Sequence, residues 1–327
     1  MATKLLSNMV TLADVINEIN PDGQIADVVE IFNEHNNFLP DAPMVEANDY
    51  HSHISYIRSR MAPVRGGRVV NRGADTTSAA SVPQRESIAI LERWVPIDER
   101  IVKDSPDPQK TRTNQAVAIL ESMMQEHARQ MVYGSEAVDQ SEMNGFFTRY
   151  NDDSLPNVED LGGGDGSSTS LLMVEWGENK SYMVYPRGAA NAGIEVDDKG
   201  LIDWRDPDGK PYDAFVSKYC ALFGLAIDDP LTVQRISGIE VAGSTNNLLA
   251  AGGHHPLIRA KNRLRNFGQN AVLYCNRDMK AQFDIWALDK ANGFYMMQNI
   301  TGQPLAYFQE MPIRLVEQIL STEDGTD

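Results

Sequence analysis

The sequence predicts an α+β fold, and three observations carry that prediction. Residues 106–133 have the start signal, length and apolar period of a long helix. Residues 50–102 contain two long runs rich in Ile, Val, Tyr and Trp, the composition of extended strands. From residue 161 onward, short apolar runs alternate with short amphipathic segments, separated by Gly, Pro and Asp turns. With 327 residues the chain makes one large domain or two modest ones, at about 100–200 residues each.

Residues 1–50 come first. Thr11 with Asp14 approximates a capping box, and Pro21-Asp22-Gly23 stops the short helix it opens over 11–19. Ile25, Val28, Val29 and Phe32 then repeat at helical period as far as Asn33, before Pro40 and Pro43 break the chain. The segment reads as an acidic arm with two small amphipathic helices. Its apolar surface is too small to stand alone, so it lies on something. Residues 51–102 read as a long β-hairpin. HSHISYIRSR and SIAILERWVPI form its strands, and RGGRVVNRGADTTSAAS between them has little to bury. A lone hairpin is marginal in water, so one of this length needs a neighbour to cover it.

Residues 103–160 centre on the long helix. Ser105 is a good N-cap, Pro106 suits the first helical position, and Gly134 suits the stop. Val117, Leu120, Met124, Ala128 and Met131 form one apolar stripe, with Met123 as further core filler. At 1.5 Å per residue it runs about 40 Å. The connector LGGGDGSS at 161–168 is not a phosphate cradle, because no GK[ST] follows it.

Residues 161–240 read as β-rich. LLMVEW–GENK–SYMVYP predicts a hairpin, Asp206 to Gly209 a turn, and 214–228 with 231–236 a strand pair bent at Asp229-Pro230. Residues 241–327 read as an α/β unit. It has a basic helix over 256–267 ending at Gly268, a buried strand over 271–275 and a helix over 277–288. A strand over 305–314 and a short helix over 315–320 close it, before the acidic tail STEDGTD.

Composition removes several classes of function. Apolar residues are 42% and charged residues 23%, enough to bury a core and too little charge for a disordered chain. The longest apolar run, Tyr219 to Ile227, falls well short of the roughly 20 residues of a spanning helix. MATKLLSNMVTLADV lacks the apolar core of a secretory signal. Cys220 and Cys275 are too few for a disulfide framework and fit a reducing cytoplasm as small buried hydrophobes. A net charge of −17 excludes a free nucleic-acid binder.

The charge is uneven. Residues 1–50 hold nine acids and one lysine. Residues 52–72 hold Arg58, Arg60, Arg65, Arg68 and Arg72 with no acid, and residues 257–267 hold Arg259, Lys261, Arg263 and Arg265, again with no acid. Arginine's planar fork favours bidentate pairing at interfaces. These stripes read either as solvated basic faces or as candidate inter-subunit contacts: Arg58, Arg60, Arg65, Arg68 and Arg72 on the hairpin, Arg259, Arg263 and Arg265 on the basic helix.

Catalytic and metal signatures are missing from the sequence. His51 and His53 would share one strand face, but neither has a carboxylate or Cys partner at metal-ligand spacing. His254-His255 precede a proline and point different ways. There is no G-x-S-x-G, H-E-x-x-H, Walker loop or dinucleotide fingerprint. The expectation is a non-enzyme with no cofactor and no metal.

Four stretches, taken in series, resemble one family. They are the helix 106–133 followed by SEMNGFFTRYN; TSLLMVEWGENKSYMVYPRG; GIEVDDKGLIDWRDPDGKPYDAF with FVSKYCALFGLAIDDPLTVQRISGIEV; and AVLYCNRDMKAQFDIWA with GFYMMQN and MPIRLVEQIL. Arm, projecting hairpin, spine helix and mixed body together resemble the tailed-bacteriophage major capsid proteins of the Hong Kong 97-type shell fold. Short-tailed phage coat proteins are the nearest in look. The closing strand departs from many members, which carry a glycine two residues before its proline: here Glu310 precedes Pro312, while Gly302 stands two residues before Pro304, and either proline could match the family's.

The resemblance implies a virion subunit that packs with many copies of itself into pentamers and hexamers, assembled in the host bacterial cytoplasm. Its arm and hairpin would reach across to neighbours. It further implies a separate scaffolding protein, a portal protein, a possible cement or decoration protein, packaged double-stranded DNA on the inner face, and no membrane. Residues 50–102 contain no lysine, so the loop-lysine crosslink of some family members is not expected. The basic helix is either a DNA neighbour or an inter-subunit ion-pair partner; the second is favoured because one helix neutralises few phosphates. Two rival readings are a cellular nanocompartment shell of the same fold and an unrecognised cytosolic α+β enzyme.

Overall fold

The computed structural model describes residues 36–60, 70–71, 78–104, 108–164, 166–189, 191–205, 208–241, 246–250, 254–287, 295–300 and 303–323. The helices expected over 11–19 and 25–33, the Ser105-Pro106 start signal and most of the hairpin tip lie outside them.

Along the chain the first strands are β1 (Met44–Glu46), β2 (Ser52–Arg60) and β3 (Ala80–Asp98). Helices α1 (Glu99–Asp104), α2 (Pro108–Tyr133) and α3 (Phe146–Arg149) follow. Then come β4 (Val158–Asp160), β5 (Ser168–Glu175), β6 (Ser181–Tyr185), β7 (Ile194–Arg205), β8 (Pro211–Ile227) and β9 (Val233–Glu240). The last part holds α4 (His255–Arg263), β10 (Ala271–Cys275), α5 (Arg277–Ala287), β11 (Tyr295–Ile300), β12 (Gln303–Phe308) and β13 (Met311–Leu315).

The strands form two sheets. One has the order β1-β6-β8-β3-β2, with β7 also paired to β8; the other runs β11-β12-β13-β10-β5-β9-β4. Leu120, Met124, Ala128 and Met131 of α2 are buried as the apolar stripe requires, and they join one core with Phe223 and Leu225 of β8 and Leu172 and Val174 of β5. The second sheet is covered on its other face too. Leu171 and Met173 of β5 and Leu273 of β10 pack there with Leu257 of α4 and Met279 and Phe283 of α5.

Strand β3 joins two structures. Its first half pairs with β2 from Ser52↔Ser87 to Arg60↔Ala80, forming the expected hairpin. Its second half pairs with β8 from Ile88↔Gly224 to Asp98↔Ala214. The hairpin is therefore a continuation of a sheet strand beyond the sheet.

Several local expectations are corrected. LLMVEW and SYMVYP are not a hairpin. β5 pairs with β9 and β10, whereas β6 pairs with β1 and β8 in the other sheet. The turn at Gly177–Lys180 closes as expected, with the Lys180 amide donating to the Gly177 carbonyl at 3.0 Å, but a local turn cannot dictate that its strands stay together. All eight β5 residues are buried, so β5 takes partners on both sides. Likewise β8 and β9 bend at Asp229-Pro230 but enter different sheets. Strand β7 was not anticipated; its charged, exposed alternation hides a hairpin with β8. The strand expected over 305–314 is two strands, β12 and β13, broken by Gln309 at φ 55°. Residues 316–320 form turns and not a helix, because Val316 and Ile319 are drawn into the core.

Gly134 ends α2 for a reason other than a left-handed cap. A Cβ there would lie 2.4 Å from the Met143 carbonyl oxygen, and one at Gly145 would lie 2.5 Å from that of Gln130. The two glycines let the return chain press on the helix end, where the Gly145 amide donates to the Gly134 carbonyl at 2.8 Å. Gly134→Ala and Gly145→Ala are each expected to destabilise the subunit by about 1–3 kcal/mol through overpacking. Urea unfolding checks this. The double variant should cost less than the sum, since both open the same contact.

Candidate subunit-contact surfaces

The hairpin leaves the body through a polar base. His53 opposes Glu86 and Ser55 opposes Gln84. Glu86 is 1% exposed, and burying an unpaired carboxylate is prohibitive. Its partner is Arg149 of α3, which gives a two-pronged contact, Nη1 to Oε1 at 2.6 Å and Nη2 to Oε2 at 2.5 Å. The same guanidinium donates to the carbonyls of Asn144 at 3.0 Å and Leu225 at 3.2 Å. Beside it, the Tyr182 hydroxyl donates to Asp228 at 3.0 Å and lies 3.0 Å from His53 Nε2, which therefore carries the proton. Burial pushes the His53 imidazole down, while Asp228 and Glu86 pull it back up.

Past the base, both faces of the hairpin are uncovered. Tyr56 on one face and Val82 on the other are 71% and 54% exposed. Arg58 and Arg60 stand in register with Ser81 and Ala80. Their side chains, and the whole of Arg65, Arg68 and Arg72, lie outside the described residues.

The body side of β3, β8 and β7 presents a second surface. Trp94 and Trp204 lie with ring centroids 6.0 Å apart, and Lys218 sits over Trp94 at 5.6 Å. Lys218 pairs with Glu92 at 2.8 Å, and Trp94 Nε1 donates to the same carboxylate at 2.7 Å. Glu195, Asp197, Asp203, Asp208 and Asp213 line the β7–β8 hairpin, all exposed. Neither the tryptophan pair nor this acidic edge was legible without knowing that β7 and β8 pair.

The root of the arm is locked into the core. Phe38 and Leu39 are fully buried, and the Phe38 ring lies 4.5 Å from that of Tyr274. Asp41 receives Arg314 at 3.1 and 3.2 Å and the Tyr274 hydroxyl at 3.1 Å. The Trp176 indole donates to that hydroxyl at 2.7 Å. Burial raises the Asp41 carboxyl although Arg314 opposes it. The Asn36 amide donates to His127 Nδ1 at 2.7 Å, so the His127 proton sits on Nε2, which has no hydrogen-bond partner among the described residues.

The basic helix α4 is paired within its own chain. Arg259 and Arg263 both reach Glu159 Oε1, at 2.9 and 3.1 Å, and Arg265 pairs with Asp229. All three side chains stay about half exposed. Glu86, Arg149, Asp41 and Arg314 were missed in the sequence reading. The available signal was a charge inside an apolar or aromatic setting, Glu86 before SIAIL and Arg149 after FFT.

Burial pushes the His127 imidazole down to about 3 from its usual 6.5. The unfolded chain takes this proton below about pH 6.5, and the folded chain only near pH 3. The His127 contribution to stability is complete above pH 6.5 and drains as pH falls toward 3. Urea midpoints across that range are expected to fall, and His127→Gln, which keeps an acceptor for Asn36, to flatten the fall. An unchanged slope would reject this assignment.

Comparison with known proteins agrees with this geometry. A family model described as major capsid protein GP7 matches residues 20–326. No curated protein matches. Among solved structures, the chain is similar to that of bacteriophage epsilon15, with 23% identity, a TM-score of 0.64, and coverage of 100% of this chain and 99% of that one. It is also similar to the bacteriophage JBD30 capsid, with 10% identity, a TM-score of 0.49 and coverage of 86% and 90%. The SrpI encapsulin of Synechococcus elongatus PCC 7942 matches at 10% identity and a TM-score of 0.41, over 62% and 86%. The epsilon15 likeness establishes the tailed-phage capsid fold, and the family establishes a structural protein of the virion head. Matched over nearly its whole length, the chain belongs to the major capsid protein GP7 family.

Proposed function

We propose that the chain forms the icosahedral head of a tailed phage from pentamers and hexamers, each subunit held by what its neighbours lay over it. The observation that carries this reading is the hairpin beyond Gln84, with Tyr56 and Val82 uncovered on opposite faces. An apolar ribbon of this kind is stable only when covered. Its Arg58, Arg60, Arg65, Arg68 and Arg72 meet an acidic surface of another copy. The exposed acids of the β7–β8 hairpin, Glu195, Asp197, Asp203, Asp208 and Asp213, supply one of opposite sign. Many identical modest contacts then add up by multivalency.

The chain divides in this reading into arm (1–50), hairpin (51–102), spine-helix unit (103–160), β-rich segments (161–240) and axial α/β unit (241–327). It assembles in the host cytoplasm with a scaffolding protein and a portal protein, and a cement protein supports the shell where no loop lysine crosslinks it. Double-stranded DNA packs non-specifically inside. Arg259, Arg263 and Arg265 stay about half exposed while sharing two carboxylates of their own chain; arginines that already pair with carboxylates and keep donors free support a contact with another copy over a grip on DNA.

Expression of the chain followed by size exclusion and negative-stain microscopy tests the reading; capsomers or closed shells are expected, and a lone catalytically active monomer would reject it. Arg65→Glu with Arg68→Glu is expected to block assembly while circular dichroism stays that of the folded subunit. Normal assembly of that variant would remove the docking role. Raised salt should weaken contacts made by exposed pairs.

A further inference from the structure

The turn between α4 and β10 holds an aromatic residue in an unfavourable place. Phe267 has φ 56° and is 67% exposed. A bulky side chain strains in the left-handed region, where Gly and Asn sit easily. The turn is nonetheless held firmly. The Arg265 amide donates to the Leu231 carbonyl at 3.1 Å, and the Asn266 amide to the buried Glu175 carboxylate at 3.0 Å. Among the described residues no contact recovers the strain, because the ring is mostly in solvent. Backbone strain persisting at an exposed aromatic marks a contact made elsewhere.

The surroundings indicate the chemistry of that contact. Leu231, bonded to the same turn, is 38% exposed. Four cations cluster nearby in sequence, Arg259, Lys261, Arg263 and Arg265, against the two carboxylates of Glu159 and Asp229 that pair with the arginines. In a chain of net charge −17 this is a local positive excess around an apolar centre. The complementary sequence is in the arm. IADVVEIFNE, residues 25–34, carries Asp27, Glu30 and Glu34 with no base, and Ile25, Val28, Val29 and Phe32 at helical period.

We propose that Phe267, Leu231 and the flanking arginines receive segment 25–34 of a second copy. The proposal rests on the shell reading and names a site within it. A neighbour is the occupant because of where the arm root is tied. Asn37 bonds the Leu315 carbonyl, and Leu315 pairs with Cys275 at the end of β10, whereas Phe267 precedes the opposite end at Ala271. Read as a helix at about 1.5 Å per residue, the five residues from Asn37 to Phe32 reach about 8 Å, short of the length of the five-residue β10, about 13 Å at strand rise. DNA is a poorer occupant, since its charged backbone presents no apolar surface to the exposed Phe267 and Leu231.

The test uses the full chain and a double-variant cycle. Phe267→Asn removes the ring and suits the backbone, so the unassembled subunit should unfold at the same or higher urea concentration. The critical concentration for shell assembly should rise about tenfold. Phe32→Asn should give a similar rise, and the two together should give no more than either alone. Phe267→Gly, equally at ease there, repeats the measurement should the Asn variant misfold. Normal assembly of the Phe267 variants overturns the proposal, as do effects that multiply. Coupling seen in the stability of the unassembled subunit overturns it in favour of the chain's own arm. Loss of packaged DNA with intact assembly overturns it in favour of nucleic acid. Failure of the unaltered chain to form shells or capsomers instead strikes the shell reading itself.

Discussion

Glu86 and Arg149 meet across 63 residues of sequence, and most of the hairpin's placement follows from that meeting. A carboxylate 1% exposed must find a cation or lose its charge. The guanidinium that answers it also holds the Leu225 carbonyl in β8 and the Asn144 carbonyl beyond the spine helix. One planar group thus ties β3, β8 and the α2–α3 connection together. An apolar contact of similar size would tolerate sliding of β3 by a residue pair; a two-pronged ion pair does not. Removing either partner strands a buried charge, at a cost of about 3–5 kcal/mol.

Elsewhere the body uses the same device at smaller scale. Asp41 with Arg314 seats the root of the arm, and Glu323 with Arg235, Ser170 and Tyr133 seats the last described turn against β5 and the end of α2. Phe147 supports the Arg235 guanidinium at 4.3 Å. Both ends of the described chain are therefore fastened by charge inside an apolar core. Fully satisfied polar networks of this sort specify one arrangement more than they stabilise it.

Local signals in the sequence were read correctly where one segment decides its own fate. The α2 stripe, the β10 core strand and the hairpin of β2 and β3 all follow from period and composition. Partner choice was the part that periodicity does not encode. β5 and β6, like β8 and β9, look like consecutive strands joined by good turns, and the turns are real. Which sheet each strand joins is set by burial on both faces, a tertiary property. Candidate contact surfaces were proposed from clusters of arginine, whereas Trp94 and Trp204 become neighbours only after β7 and β8 pair. Among the described residues, Arg259, Arg263 and Arg265 acquire the carboxylate partners Glu159 and Asp229, 36–104 residues away, which spacing alone cannot forecast.

The chain passes from one sheet to the other at Gly177–Lys180 and again at Asp229-Pro230. Each crossing is only a few residues long, and a common apolar filling lies between the two layers. Shearing one layer past the other would stretch both short tethers at once and open voids that close-packed interiors resist. The body consequently resists such shear like a stiff paving stone. A curved wall built from such stones must fit its bends at the mortar, by tilting ribbons and extensions, while every stone keeps its shape.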